Sequence, residues 1–258
     1  MIPQLEAAAR LQEAARTGKP CAPVRDLIGA TDAYAVQEVL TEARLAAGAR
    51  IVGHKIGLTS AAVQRQLGVD QPDFGVLFAD MDVSEHAAIP LAGLLQPKVE
   101  AEIAFVLSED LDSEDLTPER VRAAVAYAVP ALEIVDSRIE DWDITIADTI
   151  ADNASSGLFV LGDDRVTLDD AEPKDAVMSM TVNGEVASTG TGAACLGDPL
   201  AALAWLARTA REVGRPLRAG QVVLSGALGP MVPLEPGARI SATMTGFGTV
   251  TATVGELS

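Results

Sequence analysis

The chain has 258 residues, with 19 Lys and Arg against 37 Asp and Glu, and a formal charge of −18. Nucleic acid and anionic membrane surfaces are gripped by clustered cations, and the sequence contains no basic run; small molecules and other subunits are the partners to expect. At 48% hydrophobic and 3% aromatic residues, a core is affordable but must be built from Ala, Val, Leu and Ile rather than from rings.

The most apolar stretch, Ala123 to Leu132, is interrupted by Pro130 and is far shorter than the about 20 residues of a membrane-spanning helix. The N-terminal MIPQLEAAARLQEAAR carries Glu and Arg where a signal peptide has its apolar centre, which predicts a cytoplasmic protein. Cys21 and Cys195 lie far apart with no CxxC pattern, so free thiols are expected. His54 and His86 are the only histidines, so a bound metal should be held by oxygen.

In chain order, Leu5, Ala8 and Gln12 mark a weak helical stripe ending at Gly18. Val36, Val39, Leu40, Ala43 and Ala47 mark a stronger one between Thr31-Asp32 and Gly48. IVGHKIG (51–57) predicts a strand, and Ser60 caps a predicted helix over AAVQRQL (61–67) that Gly68 ends. From about residue 76 the texture is β: VEAEIAFVL (99–107), ALEIVD (131–136), GLFVLG (157–162), QVVLSG (221–226) and RISATMTGFGTVTATV (239–254) read as strands. Asn183-Gly184 stands where a type I′ hairpin wants it. Thr117-Pro118 opens a helix through Ala128, and Asp198-Pro199 opens another through Val213.

Strands joined mostly by non-helical connections predict an α+β fold with a mixed, mostly antiparallel sheet, not a doubly wound one. A soft boundary between Val69 and Asp80 separates an N-terminal helical region (1–75) from a β-rich domain (76–258), the two forming one compact unit.

The segment richest in chemistry is Lys98-Val99-Glu100-Ala101-Glu102-Ile103. In a strand, Glu100 and Glu102 project from one face while Val99, Ala101 and Ile103 take the other. Two carboxylates so placed on a central strand need a cation or a proton between them. A third from PALEIVD would complete a protein half-shell for Mg²⁺ or Mn²⁺, and both Glu133 and Asp136 are candidates. Lys55 sits in an apolar strand between Gly53 and Gly57, where desolvation lowers a lysine pKa and fits it for acid–base work. Asp73 in QPDFG reads as a turn residue in a Pro-containing loop. Asp152, Asn153, Ser155 and Ser156 in ADNASSG suit either a turn or a carboxylate-binding loop, and Ser225 ends a strand in a Gly-rich loop whose N–H groups are free to meet an anion. Gly190-Thr191-Gly192 is no dinucleotide loop, since Cys195 stands at the third glycine position. Nor is Ser225 a nucleophile elbow, because Val223 replaces the required Gly.

Across GHKIGLTS, QPDFGVLFADM, QPKVEAEIAFVL, PALEIVDSRIEDW, IADNASSG and LSGALGPMVPLEPG the chain resembles the 2-hydroxypenta-2,4-dienoate (2-keto-4-pentenoate) hydratases of bacterial meta-cleavage pathways, members of the fumarylacetoacetase-like superfamily. The resemblance implies a β-roll or sandwich of the fumarylacetoacetase C-terminal type, with 76–258 as the metal-binding catalytic domain. It implies Mg²⁺ or Mn²⁺ on Glu100, Glu102 and Glu133, acid–base roles for Lys55 and Asp73, and substrate contacts from Asn153, Ser155 and Ser225. The implied reaction is addition of water to a small anionic 2-hydroxydienoate, giving 4-hydroxy-2-oxopentanoate, by a homo-oligomer that also has the pathway decarboxylase as a candidate partner. The related 4-oxalocrotonate decarboxylases, which break a C–C bond in a 2-oxo diacid, are the alternative; a non-catalytic partner of that decarboxylase with an idle site is a further one. Asp141-Trp142 and the IADT run resemble the hydratase version.

Overall fold

A computed structural model describes residues 2–60, 64 and 71–256. Helices α1 (Pro3–Thr17) and α2 (Ala30–Ala46) precede strands β1 (Ile51–Gly57), β2 (Asp73–Phe78) and β3 (Lys98–Leu107). Then come α3 (Pro118–Ala123), β4 (Val125–Val135), α4 (Ile146–Ala151), β5 (Ser156–Leu161), β6 (Val177–Val182) and β7 (Glu185–Thr191). Helix α5 (Pro199–Glu212) and strands β8 (Val222–Leu224), β9 (Val232–Pro233), β10 (Arg239–Met244) and β11 (Gly248–Thr253) complete the chain. Among the described residues no helix is long and apolar enough to cross a membrane. The helix expected over 61–67, with its stop at Gly68, lies outside the described residues apart from Gln64.

Seven strands form the larger sheet, in the order β2-β1-β8-β3-β4-β5 with β9 beside β3; the smaller sheet runs β11-β10-β6-β7. The β1–β8 pair is parallel and the other ladders are antiparallel, in keeping with the expected mixed, mostly antiparallel α+β fold. Asn183 (φ 54°) and Gly184 (φ 89°) make the β6–β7 turn, both in the left-handed region that type I′ demands.

Two local expectations give way to long-range pairing, and a third to helix packing. The helix predicted through Ala128 stops at Ala123, because VAYAVPALEIV is β4 and pairs along the length of β3 from Leu107↔Val125 to Lys98↔Val135. Asp73, expected in a turn, opens β2 opposite Gly57. In α1 the buried face is Ala7, Ala8, Leu11 and Ala14, whereas Leu5 is exposed; small side chains let this helix approach closely.

Strand alternation divides β3 as the sequence predicts. Val99, Ala101, Ile103 and Phe105 enter the main core with Met180, Ile240 and Met244 of the smaller sheet and Leu203 and Leu206 of α5. The opposite face carries Glu100 and Glu102, flanked by a smaller apolar cluster that includes Ala104, Ala131, Phe159 and Leu224.

A third cluster joins α1 and α2 to Ile139, Ile150 and Ala151, and a buried carboxylate anchors it. Asp148 Oδ1 accepts the N–H groups of Val24 (2.8 Å) and Arg25 (2.9 Å), while Oδ2 accepts the Arg25 guanidinium (2.9 Å) and the Thr145 N–H and hydroxyl (each 2.8 Å). Burial opposes the charge on Asp148, but these donors outweigh it and hold its pKa below the ordinary carboxylate range. Removing a buried charge while leaving its donors in place costs about 3 kcal/mol. Asp148→Asn should therefore lower the thermal midpoint and the urea midpoint, and the deficit relative to the parent should shrink as pH falls through the acid range.

Candidate metal centre

Glu100 and Glu102 are two residues apart on β3, and Glu133 lies directly across from Glu100 on β4. All three therefore leave the same face of the sheet. One carboxylate oxygen of each lies within 4.8 Å of the others, and among the described residues this is the group of His, Cys, Asp and Glu side chains close enough to share an ion. Glu102 and Glu133 are 0% and 1% exposed, while Glu100 is half-buried and marks the open side.

Three anions so confined resist ionisation. Burial, and then Glu133, pushes the Glu100 pKa up to about 7. Burial, Glu133 and Glu100 raise Glu102 well above its ordinary value, and burial raises Glu133 against the pull of Lys55. Among the described residues, Glu102 Oε1 and Glu133 Oε2 are buried without a hydrogen-bond partner. The other Glu102 oxygen is fixed by the Gly226 N–H at 2.8 Å. An all-oxygen, anionic donor set with unpartnered lone pairs fits a hard divalent cation such as Mg²⁺ or Mn²⁺. Asp136, the other candidate for third ligand, is committed elsewhere: its carboxylate accepts the backbone N–H groups of Leu95 (3.0 Å) and Gln96 (2.6 Å).

Lys55 reaches the same face from β1. Its Nζ is 3.0 Å from Glu133 Oε1 and donates to the Ala154 carbonyl at 2.8 Å. Burial works against the ammonium, as the sequence predicts, but Glu133, Asp73, Glu100 and Glu102 outweigh it, so the lysine pKa is raised rather than lowered. Asp73 lies beside Lys55. A Cβ at Gly57 would sit 2.2 Å from Asp73 Oδ1 and 3.6 Å from Lys55 Nζ, so only glycine lets the aspartate cross β1 here. Thr149 Oγ1 donates to Asp73 Oδ2 at 3.0 Å, while Oδ1 is buried with no partner among the described residues. Burial raises the Asp73 pKa against the opposing effects of Lys55 and Thr149.

The ADNAS segment contributes mainly through its backbone. Asn153, Ala154 and Ser155 have φ of 55°, 51° and 51°, a short left-handed turn that costs non-glycine residues about 1–2 kcal/mol each. The Asn153 side chain holds the turn against β2, accepting the Val76 N–H (2.7 Å) and donating to the Val76 carbonyl (2.9 Å). The turn aims the Ala154 carbonyl at Lys55. Ser155 Oγ is buried with no partner among the described residues. Ser225 is fully buried, its hydroxyl 3.3 Å from the Gly226 carbonyl and its own carbonyl accepting the Cys195 thiol.

The structure thus brings Lys55, Asp73, Glu100, Glu102 and Glu133 together and engages the Asn153 amide with β2. The Gly-rich loop after Ser225 offers an N–H to an anion as expected, but the anion is the Glu102 carboxylate; sequence reasoning missed Thr149, the Ala154 carbonyl and the role of Gly57. A backbone carbonyl leaves no residue signature, and Thr149 offered only its place in the IADT run.

The sequence model of the fumarylacetoacetate (FAA) hydrolase C-terminal family matches residues 50–255. The chain belongs to the fumarylacetoacetate hydrolase family. Within this family it is 58% identical over 250 residues to the TodF product hydratase of Pseudomonas putida, covering 96% of this chain and 93% of that protein. It is 53% identical over 255 residues to a 2-keto-4-pentenoate hydratase of Paraburkholderia xenovorans, covering 97% and 95%. A solved 4-oxalocrotonate decarboxylase from Pseudomonas putida, complexed with magnesium and adipate, matches with a TM-score of 0.91 at 34% identity over 96% of each chain.

The raised carboxylate pKa values make a linkage prediction for this fumarylacetoacetate hydrolase family member. Groups whose folded pKa exceeds the unfolded one stabilise the fold at low pH, and that contribution is lost as pH rises through the folded pKa, here about 7 for Glu100. Between pH 5.5 and 8 the metal-free protein should lose thermal stability. Saturating Mg²⁺ or Mn²⁺ should raise the midpoint more at pH 8 than at pH 5.5, because the ion competes with protons for the same oxygens.

Proposed function

We propose that this protein is a metal-dependent 2-keto-4-pentenoate hydratase, a hydro-lyase that adds water to 2-hydroxypenta-2,4-dienoate to give 4-hydroxy-2-oxopentanoate in the meta-cleavage degradation of aromatic compounds. The observation that carries the reading is the carboxylate trio beside Lys55 and Asp73 on one sheet face, in a chain 58% identical to a hydratase along nearly its whole length. The decarboxylase alternative has the same fold but only 34% identity.

Glu100, Glu102 and Glu133 would hold Mg²⁺ or Mn²⁺. When bound, the ion supplies positive charge that stabilises enolate character in a 2-oxo acid. The remaining work falls to the chain's own groups. Lys55, kept as an ammonium by its carboxylate neighbours and aimed by Glu133 and the Ala154 carbonyl, offers charge and N–H donors to the anionic substrate. Asp73, with a raised pKa and an unpartnered Oδ1, is the proton carrier. It delivers a proton to the terminal carbon as the dienol gives up its 2-hydroxyl proton and becomes an enone, then takes one from the water whose oxygen bonds the β-carbon. A proton equivalent to the one lost from the 2-hydroxyl is returned at C3 as the resulting enolate reverts to the 2-oxo acid, so the balance is one water gained. Ser155, whose hydroxyl is buried and free among the described residues, is the best-placed further substrate contact in the ADNAS segment; Ser225 and Asn153 support the site through their backbone and β2 contacts. The protein acts in the cytoplasm as a homo-oligomer.

Purified protein with added Mg²⁺ or Mn²⁺ should abolish the absorbance of the conjugated dienol, and mass spectrometry should find a product that has gained water rather than lost CO₂. Lys55→Met and Asp73→Asn should each lower kcat by about 10²-fold or more. A Glu100→Gln protein that keeps full activity without metal would sink the proposal. Because a net charge of −18 repels an anionic substrate at long range, raising the salt concentration should leave KM unchanged or lower it.

A further inference from the structure

We infer that Thr149 is a positioning residue that fixes which oxygen of Asp73 faces the reacting ligand. The inference rests on the hydratase reading, in which Asp73 carries the proton, and it assigns a role to a residue outside the acid–base and metal-binding groups.

A threonine within a helix ordinarily returns its hydroxyl to the carbonyl one turn earlier. Thr149, on α4 and only 4% exposed, instead sends its hydroxyl outward to Asp73 Oδ2 at 3.0 Å. Its branched Cβ holds that direction, since β-branched side chains are stiff about χ1. A carboxylate that is free to turn about its last torsion exchanges its two oxygens. With Oδ2 engaged, Oδ1 is the oxygen left over Gly57, on the side of Lys55, buried and unpartnered among the described residues.

The two backbones are held at their separation by something else. Gln37 of α2, itself buried, donates through Nε2 to the carbonyls of Phe74 (2.8 Å) and Ile150 (3.1 Å). Phe74 is the residue after Asp73, and Ile150 is the residue after Thr149. The Asp148 network ties the same helix turn to Val24 and Arg25. Helix α4 is therefore clamped to β2 without the Thr149 hydroxyl, whose contact with Asp73 is left to set orientation. Proton transfer is steeply sensitive to such orientation.

The test uses the full chain loaded with Mn²⁺ and compares Thr149→Val, Thr149→Ser, Asp73→Asn and the double variant Asp73→Asn/Thr149→Val. Thr149→Val should lower kcat about tenfold or more with KM within about twofold, while leaving the thermal midpoint and calorimetric Mn²⁺ binding at parental values. Thr149→Ser, which restores the hydroxyl, should recover most of kcat. In the Asp73→Asn background, Thr149→Val should cause no further loss, because both act through one group. Parental kcat in Thr149→Val, or an equal loss in both backgrounds, would overturn the inference.

A readout independent of turnover separates it from the hydratase reading. Infrared difference spectra against Asp73→Asn isolate the Asp73 carboxyl band, which Thr149→Val should shift and Thr149→Ser should leave in place. An unshifted band rejects the positioning role. A shifted band in a parent protein that does not consume the dienol rejects the reaction and leaves the Thr149–Asp73 pairing standing. If Thr149→Val fails to fold, Thr149→Ala supplies the same comparison.

Discussion

Mutual repulsion among three closely confined carboxylates is the constraint on which the rest of this structure depends. Glu100, Glu102 and Glu133 face one another from adjacent strands, and the buried ammonium of Lys55, with Lys98 acting on Glu100 from the rim, cannot balance them. Holding such groups together requires a frame that will not relax away from the strain. The frame is the pairing of β3 with β4, the longest ladder in the larger sheet, backed on its other face by the main apolar core. Slipping that ladder by one residue would send Glu133 into the core and Ile134 to the site, a change no apolar interior tolerates. The same register that creates the repulsion thus prevents its escape, and a divalent ion is the natural relief.

Around this centre, the helical and loop elements act as aiming devices. The left-handed turn at Asn153, Ala154 and Ser155 is unfavourable in isolation, yet it presents a carbonyl to Lys55, and the Asn153 amide binds it to β2 like an extra rung of the sheet. Gly57 leaves a gap that Asp73 fills. Local cost and functional placement coincide at both positions.

Much of this was legible in the residues because strand chemistry has a period of two. The alternation in VEAEI places two glutamates on one face and three apolar side chains on the other, and the structure keeps that division. Glu133 and Asp136 could not be ranked by pattern, because the choice turns on cross-strand register, which only pairing with β3 decides. The Pro-containing sequence before Asp73 and the alanines around residue 124 carry local signals for a turn and a helix, and both yield to sheet partners distant in sequence. The direction of the Lys55 pKa was misjudged for a related reason. Desolvation is readable from an apolar strand, whereas the number of carboxylates that converge on it is a property of the assembled sheet.

The short strand β8 has a consequence for how the molecule comes into being. It lies between β1 and β3 in the larger sheet, pairing with Lys55 through Leu224 on one side and with Ala104 through the same residue on the other. The amide that steadies Glu102 lies two residues past its end, at Gly226. Lys55 and the glutamates are therefore spaced by a piece of chain translated long after all of them. A chain that ends before residue 222 contains the β3 and β4 segments that carry the glutamates but lacks the strand that spaces β1 from β3. Closure of the sheet between β1 and β3 needs the C-terminal portion, so the seating of Lys55 beside the glutamates depends on residues far downstream of all of them.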